Sequence, residues 1–314
     1  MSKKPEILTD YLRNNAEGFS LASKGQEKGI EDNKCNFYTD RQGSSPQYIM
    51  QTYSVGSLNS AFSKMIFREG QDITQLRSSG VSVHYIIDTD GLIYQLVPDS
   101  KSPWAAGKGS LKTGSKLNKD IPNDMKNVMN DYCISIMSIN SGKEPLTAEQ
   151  IEANLLLTKY LRDEYKIESA NIVGLADWAV GRHIAPGPYF PWKEFSKHNL
   201  GLWSDVELKD YPEVIVSWKK KADSKEVVED IQQQFAELGM IGMTKGDEGY
   251  LDSSTLSNML SFNLHYFGSE IINNPYLNSM YDEHLWQNSN DPDARGVLGE
   301  WNENSQAVLD DILS

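Results

Sequence analysis

Hydrophobic positions in this chain keep first a strand rhythm and then a helix rhythm. At 47–55, QYIMQTYSV is apolar and β-prone, which predicts a strand. Residues 58–69 predict a helix. The stretch 81–97, VSVHYIIDTDGLIYQLV, sets β-branched and aromatic runs on either side of Asp90-Gly91. Asp-Gly is a favoured tight-turn pair, so a hairpin is expected. Residues 108–130 are polar, with Gly and Lys, and read as a long surface loop. CISIMSIN at 133–140 is apolar enough for a strand buried on both faces. Thr147 and Gln150 then form a capping box. The helix after it should run to about Tyr165 and bury Ile151, Leu155, Thr158 and Leu161 on one stripe. IVGL at 172–175 reads as a last short strand. Strands and helices in this order predict an α/β or α+β domain, a sheet with helices packed on it.

The ends are less regular. Tyr11, Leu12 and Phe19 suggest a short helix, and Lys24 to Asn33 a loop. Lys219 to Ser224 reads as a linker. VVEDIQQQFAELGM at 227–240 is an amphipathic helix stopped near Gly239. Gly246 to Gly249 is a turn, Ser253 or Ser254 caps a helix through about Tyr266, and Pro275 breaks the segment after that helix. Residues 287–314 are acidic and polar and predict a poorly tethered tail, with a last-turn helix at Val308–Leu313. The expected division is a domain over 1–222, a helical domain over 223–286 and a tail over 287–314.

Composition narrows the classes. A chain of 314 residues suits two domains, or one with a large appendage. No run of about 18 apolar residues occurs, so no membrane span is expected. Lys3 and Lys4 are followed by Pro5-Glu6 and Thr9-Asp10, not by an apolar core, so no cleavable export signal is expected. Two cysteines, Cys35 and Cys133, exclude a disulfide scaffold and favour a reducing, cytoplasmic setting. Residues 1–222 carry 27 Lys+Arg and 27 Asp+Glu, whereas 223–314 carry 3 and 17, so the whole net charge of −14 lies in the last stretch. Such a surface repels nucleic acid and anionic cell wall, and suits a solvated domain or a basic protein partner.

The most informative stretch is Gly174 to Trp192, GLADWAVGRHIAPGPYFPW, which should be a tightly set loop. It resembles the last motif of the zinc-dependent N-acetylmuramoyl-L-alanine amidases, G-H-x-D-I-A-P-x-R-K-x-D-P-G-P-x-F-P-W. Gly174, Asp177, Arg182, Pro186, Gly187, Pro188, Phe190, Pro191 and Trp192 keep the frame. Val81, Ser82, His84, Tyr85, Ile87, Asp90, Gly91 and Ile93 to Val97 match a second motif of that family, V-S-x-H-Y-x-I-x-x-D-G-x-I-Y-Q-L-V. The resemblance implies a mixed sheet flanked by helices, with a site of three zinc ligands and a carboxylate base. The positions it assigns to ligands hold Gln51, read with one residue of uncertainty, Leu175 and Ala185. The carboxylate position holds Met137, and the His of the A-W-H-A-G groove motif is Ala105. Leu and Ala offer no donor, Gln is a poor zinc ligand and Met moves no proton. The segment after 222 resembles the three-helix peptidoglycan-binding domain, through Leu238-Gly239, Gly249, Asp252, Thr255 and Phe262 to Tyr266.

These substitutions predict a chain that is no enzyme, holds no metal or cofactor, and works as a binding or scaffold subunit. Its partners would be other proteins in a multi-subunit complex, with peptidoglycan disfavoured. The overall profile resembles an accessory subunit of a type IVB secretion coupling complex, peripheral to the inner membrane. Two alternatives stay open: a non-hydrolytic muropeptide binder, and an amidase with a remodelled metal site using His84, Asp177 and His183. The plainer readings are an interior His84, an exposed His183 and a packed His265. His198 and His284 lack metal spacing, and Cys35 lacks the setting of a nucleophile.

Overall fold

The structure is a computed structural model that describes residues 2–9, 38–43, 45–65, 80–119, 121, 125–217, 220–240, 249, 251–268 and 300–314. In chain order its elements are β1 (Tyr38–Asp40), β2 (Tyr48–Ser54), α1 (Leu58–Met65), β3 (Tyr85–Ile87), β4 (Ile93–Gln95), β5 (Lys101–Pro103), β6 (Ser110–Leu111) and β7 (Met125–Lys126). Then come α2 (Met129–Tyr132), β8 (Cys133–Ile139), α3 (Ala148–Tyr165), β9 (Ile172–Gly174), α4 (Leu175–Trp178) and α5 (Trp192–Ser196). The last are β10 (Val214–Val216), α6 (Lys225–Leu238), α7 (Ser253–Tyr266), β11 (Trp301–Asn302) and α8 (Glu303–Leu313). They form two compact units, Met1–Gly107 with Val128–Val173, and Lys108–Asn127 with Gly174–Ser314. The boundary expected at 222 follows composition, and the compact units divide the chain elsewhere. The predicted helix near Tyr11 and the readings on Lys24–Asn33, Cys35, Gly246–Glu248, Pro275 and His284 lie outside the described residues.

The first unit is built on a five-stranded sheet in the order β4-β3-β8-β2-β9. β8 runs parallel to β2 and to β3, and β3 is antiparallel to β4, so the sheet is mixed as expected. β8 is buried along its whole length. The β3–β4 hairpin turns at Asp90-Gly91, where Gly91 has φ 81 and its amide donates to the Asp88 carbonyl (3.0 Å). An added Cβ there would lie 2.8 Å from the Glu149 carbonyl oxygen. The capping box is present: Gln150 N–H donates to Thr147 Oγ1 and Thr147 N–H to Gln150 Oε1, both 3.1 Å. The buried face of α3 is Gln150, Ala153, Asn154, Leu157, Thr158 and Leu161. The predicted stripe is therefore rotated, and Ile151 and Leu155 are only half-buried. The cause is that the polar side chains Gln150, Asn154 and Thr158 share the buried face with Ala153, Leu157 and Leu161, so apolar spacing alone misplaces it.

In the second unit the aromatic core is Phe235 of α6, Phe262 of α7 and Trp301, with ring centroids 5.2 to 6.0 Å apart. α6 ends at Gly239 as predicted, with φ 120. α7 is capped by Asp252, whose carboxylate accepts from Thr255 N–H (2.8 Å), rather than by Ser253 or Ser254. The stretch 108–130 is not a simple surface loop. Leu111, Leu117, Ile121 and Met125 are buried, and β6 pairs with β7. Leu117 N–H donates to the Leu238 carbonyl (2.9 Å) and Lys112 N–H to that of Gly239 (3.0 Å). The described end of the chain is no loose tail either. Trp301, Val308, Leu309 and Ile312 are buried, and α8 spans eleven residues. Its acidic composition hid an apolar stripe. No described helix is long and apolar enough to cross a membrane.

Candidate functional site

The residues singled out by the motifs are divided between the units: Gln51, Ala105 and Met137 in the first, Leu175 and Ala185 in the second.

In the first unit the pleat decides which side chains can serve one face. β2 and β8 pair with Thr52 opposite Met137 and Gln51 opposite Ile136. Thr52 therefore shares the Met137 face, and Gln51 points to the other. Gln51 is wholly buried; its Nε2 donates to Asn154 Oδ1 (3.1 Å) and Thr158 Oγ1 (3.0 Å), and its Oε1 accepts from Asn154 Nδ2 (3.0 Å). It is a structural amide tying β2 to α3. Thr52, within the one residue of uncertainty on that reading, is the neighbour that faces the Met137 side. Met137 and Ala105 do come together, in one apolar cluster with Phe62, Val83, Ile86 and Leu96. The Ala105 and Ala106 amides both donate to Asn130 Oδ1 (3.1 and 2.8 Å), which fixes the loop after β5.

Arg41 passed unnoticed in the sequence, since no local pattern marks a single arginine. Its guanidinium donates to the carbonyls of Asp99 (2.8 Å), Asp131 (2.6 Å), Cys133 (2.8 Å) and Asn130 (3.3 Å). It also lies 3.0 Å from His84 Nε2. His84 Nδ1 accepts from the Ser135 amide (3.0 Å), so Nε2 carries the proton and meets the Lys101 carbonyl (3.1 Å). Burial first, and the Arg41 charge second, push the His84 pKa well below its usual value. This imidazole is neutral and fully engaged, so it has no nitrogen for a metal. Nearby, Asp99 accepts from Tyr85 (2.7 Å) and Tyr165 (3.0 Å) hydroxyls, and burial raises its pKa. Burial likewise pushes the Cys133 thiol up to about 12, which makes it an inert core residue.

In the second unit the Gly174–Trp192 stretch is tightly set, yet it contains the short helix α4 and leads into α5. Leu175 and Ala185 are buried, and the Ala176 amide donates to the Ala185 carbonyl (2.7 Å). Gly174 is required by crowding, because a Cβ would sit 2.7 Å from Pro186 Cδ and 3.4 Å from the Trp192 ring. Asp177 Oδ2 accepts from the Gly174 amide (2.7 Å) and from His265 Nδ1 (3.0 Å). His265 stacks on Trp192, with centroids 4.1 Å apart and planes at 9°. Its Nε2 is buried and has no hydrogen-bond partner among the described residues. His183 is half-buried, and burial, then Arg182, lowers its pKa to about 4.

Comparison with known proteins gives this architecture its relatives. Residues 39–188 match the family profile of the N-acetylmuramoyl-L-alanine amidases. The chain has the amidase fold and is similar in sequence to those enzymes over that stretch. A putative N-acetylmuramoyl-L-alanine amidase of Rickettsia conorii is 29% identical over 205 residues, 63% of this chain and 67% of its own length. AmiD of Escherichia coli is 28% identical over 151 residues, 43% of this chain and 50% of its own length. The chain thus spans between half and two thirds of these relatives. The solved complex of E. coli AmiD with anhydro-N-acetylmuramic acid-L-Ala-D-gamma-Glu-L-Lys superposes with a TM-score of 0.58 at 20% identity, over 87% of this chain and 91% of that one. AmpDh3 of Pseudomonas aeruginosa superposes with a TM-score of 0.55 at 18% identity, over 88% and 94%.

Two expectations change. The chain cannot be set down as no enzyme, because the family it matches and the relatives it resembles are amidases by name. The missing ligand set is a statement about zinc, not about turnover. The accessory role in secretion gains no support from these relatives, which are all named as amidases. The residues present do not fit the zinc that the family implies. The positions assigned to zinc ligands hold Gln51 or its neighbour Thr52, Leu175 and Ala185, none of them a His, Cys, Asp or Glu, and among the described residues no three His, Cys, Asp or Glu side chains are grouped to hold a metal.

Proposed function

We propose that this amidase-fold protein works by recognition, as a subunit that binds other protein chains in a multi-protein complex. The observation that carries this reading is the segregation of charge: residues 223–314 hold 17 Asp+Glu against 3 Lys+Arg, while 1–222 are balanced. A concentrated field of one sign steers a partner of the other sign and repels phosphate and cell-wall anions. Tyr211 supports it, at 93% exposure on a loop whose Lys209 backbone is held on both sides by the Asn304 side chain (2.9 Å each). An exposed aromatic residue on a loop anchored to α8 through Asn304 has the character of an interface anchor. A secretion coupling complex is one assembly of this kind. Affinity capture of the tagged full chain from its native cells should return a defined set of proteins, released by raised salt. Recovery of the chain alone overturns the reading.

A second reading rests on the relatives' names: hydrolysis of the muramyl–alanine amide through a site that does not use the family's zinc set. Incubation with the anhydromuropeptide found in the AmiD complex, with product detection by mass spectrometry, tests it. Release of free peptide that survives chelator supports it.

A further inference from the structure

Residues 2–9 cross the edge of the first unit's own sheet. Leu8 forms a parallel bridge with Tyr94 of β4, the strand that ends the sheet order. The Leu8 amide donates to the Ile93 carbonyl (2.8 Å), and its carbonyl accepts from the Gln95 amide (3.1 Å). The Leu8 side chain packs against the apolar cluster that contains Met137. Earlier in the segment, the Ser2 amide and hydroxyl both donate to Asp163 Oδ2 of α3 (3.0 and 2.5 Å). Lys4 Nζ lies 5.7 Å from the centre of the Tyr160 ring. We propose that this segment is an exchangeable strap, and that its seat accepts an extended strand of a protein partner, with lysines ahead of paired aliphatic residues. This partner rests on the reading that the chain binds other proteins, and it names the kind of segment received.

Three observations lead there. The first is that the seat is built for a strand. An edge strand offers main-chain groups to any extended chain that reaches it, and strand addition is a recurring mode of peptide recognition. Leu8 uses both an acceptor and a donor of β4 in this way.

The second is how lightly the segment is held. β2 and β8 pair over seven residues, whereas the strap pairs with β4 at Leu8 alone among the described residues. Leu8 is only half-buried, and Lys3, Lys4, Glu6 and Thr9 are exposed. Fixing the backbone of each residue costs about as much as one hydrogen bond contributes on balance. A segment with so few contacts per ordered residue belongs to the low end of local opening.

The third identifies the occupant. The strap itself shows what the seat takes, which is Lys3 and Lys4 followed by Ile7 and Leu8. The aliphatic residue meets the apolar cluster, and the cation meets the Tyr160 face. Such a segment also has the positive charge expected of the partner. A lipid has no amide and carbonyl to replace those of Leu8.

The test is fluorescence anisotropy with a labelled peptide of residues 2–9 and the full chain. Leu8→Asp in the chain unseats its own strap, so this variant should bind the peptide about tenfold more tightly than the parent, where the tethered strap competes. The same peptide carrying Leu8→Asp should bind neither. Circular dichroism checks the fold of the variant. On the parent chain, hydrogen exchange should release the Leu8 and Gln95 amides together and well before those of β8. Equal binding by parent and variant overturns the proposal, as does no binding to the variant at millimolar peptide. Leu8 and Gln95 amides as protected as those of β8 also overturn it, whether or not the variant folds. A parent chain that dimerises with rising concentration and loses the dimer on Leu8→Asp overturns it in favour of strap exchange between two copies. Failure here leaves the captured complex intact, so it is distinct from failure of the proposed function.

Discussion

Gln51 shows how a residue chosen for one role serves another. The resemblance singles it out as a zinc-ligand position, and the pleat turns its amide into the sheet–helix interface. Gln51→Leu removes two hydrogen bonds from Asn154 and one from Thr158 while all three positions stay buried. The expected cost is about 2–4 kcal/mol, the usual penalty for stranding buried polar groups. Thr52→Val changes no such network and should cost less, so a pair of urea melts distinguishes the two neighbours. His183 gives a prediction in pH. Its folded pKa of about 4 lies below the ordinary value near 6.5, so the unfolded chain takes up the proton first. Its contribution is at its best above pH ~6.5, is lost as pH falls from ~6.5 towards ~4, and levels off below that. Thermal melts of His183→Gln across this window should be flatter than those of the parent chain, and an unchanged slope would remove His183 as the cause.

At the scale of elements, the sequence reveals whatever is encoded within a few residues. The Thr147–Gln150 capping box, the Asp90-Gly91 turn and the Gly239 stop are local devices, and each lies where it was expected. The pairing of Asp177 with His265 joins residues 88 apart in sequence, and no local pattern announces it. The burial of Leu111, Leu117, Ile121 and Met125 and of the apolar stripe of α8 depends on partners far off in sequence, so polar composition misled there. The same distinction holds at the site. The motifs point to Met137, Leu175 and Ala185 from local sequence, whereas only strand register shows that Thr52 and not Gln51 shares the Met137 face. The Gly174–Trp192 stretch offers the sharpest test of an element. Gly174→Ala places a methyl group 2.7 Å from Pro186 Cδ, against a ring stack that has no room to yield. Overpacking of this kind costs about 1–3 kcal/mol. Asp177→Asn keeps the shape but weakens both the Gly174 cap and the hold on His265. The two variants should lower the melting temperature without altering far-ultraviolet dichroism well below the transition. A loss of helix signal in either would mean that the loop supports more than its own packing.

Over the whole molecule, an uneven charge is a physical constraint on stability as well as on partners. Fourteen uncompensated negative charges lie in 223–314, and the described part of that stretch folds into α6, α7 and α8. Local pairs such as Lys209 with Glu303 (2.6 Å) neutralise a small share of them. Close like charges oppose compaction, and the Debye length falls from about 30 Å at 0.01 M salt to about 8 Å at 0.15 M. Added sodium chloride should therefore raise the stability of these helices while doing little for the charge-balanced sheet. If the two units unfold separately, calorimetry at low and at physiological salt will show one transition moving up and the other standing still. Association with a basic partner should respond in the opposite sense, weakening as salt rises, because the same screening that relieves self-repulsion removes the attraction. A chain whose helices lose stability with salt would instead have its acidic groups held in local ion pairs, and the field proposed to steer a partner would not exist.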